Sequence, residues 1–360
     1  MVIAVSLKDA QKMAGIVQRT LPRNSSKPLL NGVLVEAEKG AIRFVTYNIS
    51  AGFRMEAPEL SGATERFVIL SGERFLNFLK VAEGEHLGLE RKGDQVHLEA
   101  GQAKLKLPAG DAQDYPVFPF LRTFAVFPGL IRGLNKTYPF TEGKESTSAR
   151  AGVHVLVKDG HITIEATSSK EAARIHGDVE LPDSDWVIAS EDVRDACAIF
   201  SADQVIYAER QGEFLLISDG EGTTWATRLL ERNFPDLSKI FAVQSTGRLV
   251  AKRNTLLGAT KRALAIISDK DNKSALLTFG SNSLRLVGHS PYGDVEEIVT
   301  GMYTGEIQES GFNLLYLQHL LNQWATENVQ SDVFALNGKG MGLLFRGEHE
   351  EYMLAGTLMR

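Results

Sequence analysis

The chain repeats itself, and the length of the repeat limits what it can fold into. Residues 32–60 (GVLVEAEKGAIRFVTYNISAGFRMEAPEL) return at 152–181 as GVHVLVKDGHITIEATSSKEAARIHGDVEL, and more faintly at 274–303 as SALLTFGSNSLRLVGHSPYGDVEEIVTGMY. The turn residues Gly40, Gly160 and Asn282 are spaced by 120 and 122 positions. A second match follows each copy: FVILSGERFLNFLKV (67–81), WVIASEDVRDACAIF (186–200) and SGFNLLYLQHLLNQW (310–324). The first two units also close alike, with DYP at 114–116 and NFPD at 233–236. Solenoid and propeller repeats run to about 20–50 residues, so a period near 120 describes a whole small domain. Three equivalent domains are expected, at 1–120, 121–242 and 243–360.

Each unit carries the same local pattern. Leu7, Ala10, Met13, Ala14, Val17 and Leu21 recur at helical spacing, with Lys8, Gln11, Lys12, Gln18 and Arg19 on the other side. Ser6 is positioned to cap this helix, and Pro22 and Pro28 to end it. Phe75, Leu76, Phe78 and Leu79 mark a second helix, and Ser71, Ser190 and Asn313 stand at matching cap positions in the three units. Between helices, VLVEAEKGAIRFV, HLGLERKGDQVHLEA and IYAERQGEFLLISDG alternate apolar and polar residues across glycine-bearing turns, which reads as antiparallel hairpins. The fold class is α+β, each domain laying two helices on antiparallel sheet.

A hydrophobic share of 43% against 23% charged residues supports a real core. No signal-like or membrane-length apolar run occurs, and the single cysteine, Cys197, excludes an internal disulfide framework and any multi-cysteine metal site. Cys197 falls on the apolar side of its helix and reads as a small core residue, so a reducing cytoplasm is the expected location. No phosphate loop, dinucleotide fingerprint, zinc-protease motif or nucleophile elbow is present. The glycine-rich NGKGMG (337–342) and SDGEGTT (218–224) read as hairpin turns, the latter lacking the spaced oxygen ligands of a calcium loop. Glu296–Glu297 and Glu350–Glu351 sit in strands, where neighbours point to opposite faces. No catalytic constellation, metal or cofactor is expected.

Net charge is −6, which argues against a protein that coats nucleic acid with cations. The helices nevertheless carry a basic excess, at Lys8, Lys12, Arg19 and Arg23, then Arg74 and Lys80, then Arg132, Lys136 and Arg194, then Lys252, Arg253, Lys261 and Arg262. Acidic residues gather instead in strands and turns, as in EAEKGA, EGEHLGLE and RGEHEE. A single basic helix face is ordinarily just a solvated surface. Repetition over six helices suggests a ring with helices inward, its hole lined by cations and its outer sheets acidic.

Along its full length the chain resembles the bacterial DNA polymerase III beta subunit family, the sliding clamps. The resemblance rests on the three-unit division, KPLLNGVLVEAEKGAIRFV, DYP and NFPDLSKIF at the unit ends, ESGFNLLYLQHLLN, and the tail EYMLAGTLMR. It implies two chains closing a six-domain ring around double-stranded DNA, a non-catalytic processivity factor held topologically and free to slide. The basic residues named above would then face DNA without reading its sequence. Implied partners are a second copy, a separate clamp loader, the polymerase III catalytic subunit and other proteins carrying a clamp-binding peptide.

The resemblance also places two sites. A pocket for peptide tails, with a glutamine followed by apolar residues, would use Thr167, Pro235, Lys239, Ile240, Leu343, Leu354, Gly356, Leu358 and Met359. Its rim departs from the family, Thr167-Ser168-Ser169-Lys170-Glu171-Ala172 replacing T-D-G-H-R-L and Ala355-Gly356-Thr357-Leu358 replacing M-P-M-R. The subunit interface would set Phe78 against Ile266 and Ile267, with Arg74 facing Asp294, Glu296 and Glu297. Surface ion pairs contribute about 0–1 kcal/mol each, so the apolar contact should dominate closure. Two rival classes are an enzyme with a site assembled from distant residues, betrayed by turnover, and a protein-only scaffold, betrayed by no retention on circular DNA.

Overall fold

The computed structural model describes residues 1–22, 25–119, 125–143, 146–267, 273–336 and 340–356. It is α+β, with strands in two large antiparallel sheets and seven α-helices among the described residues: α1 (Leu7–Val17), α2 (Gly72–Val81), α3 (Leu130–Thr137), α4 (Ser190–Cys197), α5 (Ser238–Phe241), α6 (Arg253–Ile266) and α7 (Leu314–Gln323). None is long and apolar enough to cross a membrane. The chain forms two compact units, Met1–Arg132 with Arg194–Leu229, and Gly133–Val193 with Leu230–Arg360. Their division falls inside α3 and α4, so residues 121–242 are shared between the units.

The repeat is visible in the backbone. The hairpins Val33–Glu38/Ala41–Tyr47 and Gly152–Lys158/His161–Thr167 both turn through two residues at positive φ: Lys39 (56°) with Gly40 (78°), and Asp159 (52°) with Gly160 (79°). Such turns match the right-handed twist of the strands they join, and glycine takes the second position without strain.

In the first unit, α1 and α2 lie side by side, the Gln11 amide donating to the carbonyls of Leu79 (2.9 Å) and Ala82 (3.1 Å). Phe75 of α2 meets Phe44 edge-on at 5.4 Å, which fixes the helix on the sheet. In the second unit, Phe140, Trp324 and Tyr352 form an aromatic cluster beneath the strand Glu350–Ala355. Gly133 lets α3 approach the sheet closely, since a Cβ there would stand 2.4 Å from the Ile164 side chain.

Several local expectations need correction. α1 ends at Val17 and continues as a single 3-10 turn to Thr20, after which Leu21 is extended ahead of Pro22; Pro28 instead opens a separate 3-10 turn. Of the expected caps only Asn313 bonds, accepting from the Leu315 amide (3.0 Å); Ser6 and Ser71 make no side-chain cap, and Ser190 begins α4. Cys197 is half-buried, its thiol directed at the Ile131 carbonyl, and burial pushes its pKa up to about 12, as for an inert structural cysteine. The 218–224 turn is as expected, whereas residues 337–339 of NGKGMG lie outside the described residues.

Candidate nucleic-acid and partner interfaces

The helical cations separate into free and engaged groups. Lys8 and Lys12 sit one turn apart on the exposed face of α1, opposite Leu7, Ala10, Met13 and Ala14, which are buried. Arg74 and Lys80 are exposed on α2, and Lys261 on α6. Among the described residues, none of these five has a carboxylate within ion-pair distance; Lys80 only reaches the Asn77 amide at 3.5 Å. Arg74 and Lys80 line a cleft of about 470 Å³, with Gln18, Leu21 and Pro22 opposite.

The other cations have partners. Arg19 and Arg194 both lie 3.7 Å from Asp195, Arg132 pairs with Asp203, and Lys252 lies 3.9 Å from Glu327. Arg253 donates to the Trp324 carbonyl (2.9 Å), and Arg262 forms a fork with Glu297 (2.7 and 2.7 Å). Lys136 stands apart, half-buried and ion-paired to the buried Glu350, where its charge serves the core of the second unit. Arg23 lies outside the described residues.

A partly exposed apolar cluster in the second unit includes Ile240 of the expected pocket residues, with Thr167, Pro235 and Lys239 close to it in the chain or the strand register. Ala172, Leu237, Phe241, Phe334, Leu344 and Met353 form its base, with Phe234, Ile240, Val243, Leu336 and Ala355 at its edge. Pro235 and Lys239 stand exposed on the segment that supplies Phe234 and α5, and Thr167 lies cross-strand from Ala172, its hydroxyl donating to the Glu171 carbonyl (3.0 Å). Leu343 and Leu354 pair with each other but on the opposite face of the sheet; Leu344 and Met353, one residue along, hold the cluster positions. The two-residue side-chain period could have found these. Gly356 is held by its amide to the Met341 carbonyl (2.7 Å), and Leu358 and Met359 lie outside the described residues.

A row of alternating charge underlies this cluster, crossing eight successive strands, and sequence reading missed it. His154 lies 3.1 Å from both Asp185 and Glu165; Arg174 donates to Glu165 (2.9 Å) and stands 3.9 Å from Glu351. Arg346 continues to Glu351 (3.6 Å) and Asp332 (3.4 Å), and Arg248 closes the row on Asp332 (3.0 Å). The row grips the cluster. The Arg174 guanidinium covers the Phe241 ring at 4.3 Å, Arg346 donates to the Phe241 carbonyl (2.7 Å), and His154 stacks on Phe234 at 4.7 Å. On the other face, Glu171 is buried with an Oε2 that finds no partner, and desolvation pushes its pKa up to about 8.

The adjacent carboxylates part as expected: Glu296 pairs with Arg285 and Glu297 with Arg262, while Glu350 takes Lys136 and Glu351 faces Arg174. Of the interface residues, Arg74 is exposed and Phe78 half-buried on α2, and Ile266 is 41% exposed. Ile267 is 0% exposed, packed against Gly288, so within one chain it belongs to the core.

Residues 3–119 match the family model for the N-terminal domain of the DNA polymerase III beta subunit. The beta sliding clamp of Chlamydia muridarum is 23% identical over 349 residues, covering 92% of each chain. Over the whole length, the fold superposes on that of the beta subunit from Thermotoga maritima (TM-score 0.89, 18% identity, 100% of both chains). The chain is similar in sequence and in fold, over nearly its whole length, to DNA polymerase III beta subunits. A further beta subunit, from Pseudomonas aeruginosa and bound to griselimycin, shares the clamp fold at TM-score 0.90 and 17% identity, covering 100% of this chain and 99% of that one. Each unit holds one of the two sheets, which is why contacts divide this chain into two units.

Proposed function

We propose that this chain is a non-catalytic processivity clamp of DNA replication, cytoplasmic, two copies of which close into a six-domain ring around duplex DNA. The agreement of the whole fold with beta subunits carries this reading. The three-domain division at 1–120, 121–242 and 243–360 goes with it, supported by the repeated turns at Gly40 and Gly160. DNA is held topologically. The unpaired Lys8, Lys12, Arg74, Lys80 and Lys261 lower the phosphate potential without fixing register, which permits sliding. The Phe241–Met353 cluster takes the apolar residues of partner tails, those of the polymerase and clamp loader included.

Closure has support in two open strand edges. Among the described residues, 103–107 pair only with Gln95–Ala100 and present Lys104, Leu105 and Lys106, and 293–300 pair only with Ser283–Ser290 and present Asp294, Glu296 and Ile298. Opposite charge on two unpaired edges favours strand-to-strand joining of copies. The accessible Ile266 belongs to this contact, and Ile266→Asp should give folded monomers by light scattering. Substituting Ile267 as well would unfold the chain.

The function is tested by primer extension with the cognate loader and polymerase under a single-encounter trap. Product length should rise at least about tenfold when the chain is added, a barrier difference near 1.4 kcal/mol against dissociation. Equal lengths would contradict the reading.

A further inference from the structure

Outside the surfaces described above, the first unit holds a second cationic feature on the sheet face away from α1 and α2. A cleft of about 210 Å³ is lined by Arg43, Arg54 and Arg66 with Leu34, Glu36, Val117 and Phe118. Two of its arginines are engaged, Arg43 with Glu56 (2.6 Å) and Arg66 with Glu36 (2.7 Å). Arg54 is not. It lies opposite Val45 in the strand register, and among the described residues no carboxylate or carbonyl receives its guanidinium. Its Nε is sealed from solvent without a partner. Desolvation, then the neighbouring Arg43, pulls its pKa downward. An arginine stays protonated under such pressure, and Glu56 and Glu36, which act on it from a distance, are bonded to Arg43 and Arg66, so the site carries three cations against two carboxylates.

The repeat supplies the missing partner's chemistry. Arg174 is the equivalent of Arg54, 120 residues on. There Glu165 stands where Val45 does in the first unit, its Oε2 accepting from the guanidinium, and Phe241 covers the guanidinium face. The first unit has kept the arginine and an apolar roof but, among the described residues, no carboxylate bonded to it. We propose that the cleft around Arg54 binds a carboxylate presented by a partner peptide, with an apolar or aromatic side chain beside it resting on Val117 and Phe118.

Three features favour that occupant. A planar guanidinium fork matches a carboxylate in two-point contact. Glu36 and Glu56 at the rim repel a doubly charged phosphate more than a single carboxylate, and the cleft holds a side chain but not a nucleotide. Val117 is 79% exposed at the mouth, an apolar contact presented outward.

The test uses the full chain with arginine side chains labelled for NMR. Probes are acetyl-Ala-Phe-Asp-amide, its neutral isostere acetyl-Ala-Phe-Asn-amide, and inorganic phosphate. The aspartate peptide should move the Arg54 Nε–H signal and bind about tenfold or more tighter than the asparagine peptide, the scale of one charge-assisted contact. Arg54→Met, which keeps length and apolar stem, should abolish that preference; Arg54→Gln serves if the methionine variant does not fold. Equal binding of the two peptides would overturn the proposal. So would no binding by either, or phosphate moving the Arg54 signal where the aspartate peptide does not.

Discussion

Arg54 and Arg174 stand at one position of the repeat, and their surroundings make one a structural element and the other an open valence. Arg174 is embedded in a row of charges, shared between Glu165 and Glu351 and stacked on Phe241. Arg54 faces Val45 and has no such carboxylate among the described residues. The backbone repeats because hairpin turns and strand alternation are set locally. The charges do not, because a pair needs two residues from different strands to vary together. A buried charge adds to specificity only when its partner is present.

The largest effect that should break this comparison is Arg174→Met. The Glu165 side chain is 7% exposed and would lose its ion pair, costing about 3–5 kcal/mol, whereas Arg54→Met should be within about 1 kcal/mol of neutral. Denaturant unfolding of both variants checks this; equal losses would erase the distinction. Glu171 sharpens the same contrast by its pH dependence. Its folded pKa, raised by desolvation to about 8, lies above the ordinary carboxylate value of 4.5, so the folded state holds the proton that the unfolded state releases. Its contribution is therefore fully present below pH 4.5 and is lost as pH rises to about 8, by on the order of a few kcal/mol. Glu171→Gln should flatten that slope, read as unfolding midpoint against pH.

A smaller effect comes from importing the second unit's carboxylate into the first. Val45→Glu and Arg54→Met, alone and combined, should couple by about 1–3 kcal/mol, the glutamate being tolerated only with its arginine. Zero coupling would mean that Arg54 does not present its charge to that position. Least in size, Lys8→Ala or Lys12→Ala should lower the salt slope of DNA binding by about one each. Lys136→Ala should leave that slope unchanged, because its charge is already held by Glu350.

Much of this was legible in the sequence because repetition is a strong signal: 120-residue spacing, hairpin glycines and the basic face of α1 all follow from short-range pattern. The charge row was not legible, since Asp185, His154, Glu165, Arg174, Glu351, Arg346, Asp332 and Arg248 are brought together only by strand order. Leu354, expected in the pocket, points away from the apolar cluster that takes its neighbour Met353, because one residue along a strand reverses the face. Ile267 was read as a contact because sequence cannot tell an interface isoleucine from a buried one. Free and engaged lysines also look alike until the carboxylates around them are placed, as Lys12 and Lys136 illustrate.

The most direct test of the ring is retention on DNA after loading by the cognate loader, comparing closed circles with the same molecules linearised. Protein that stays on circles and leaves through free ends is the result expected of a topological clamp. Equal retention on both forms would mean adhesive binding by the helical cations and would contradict the account.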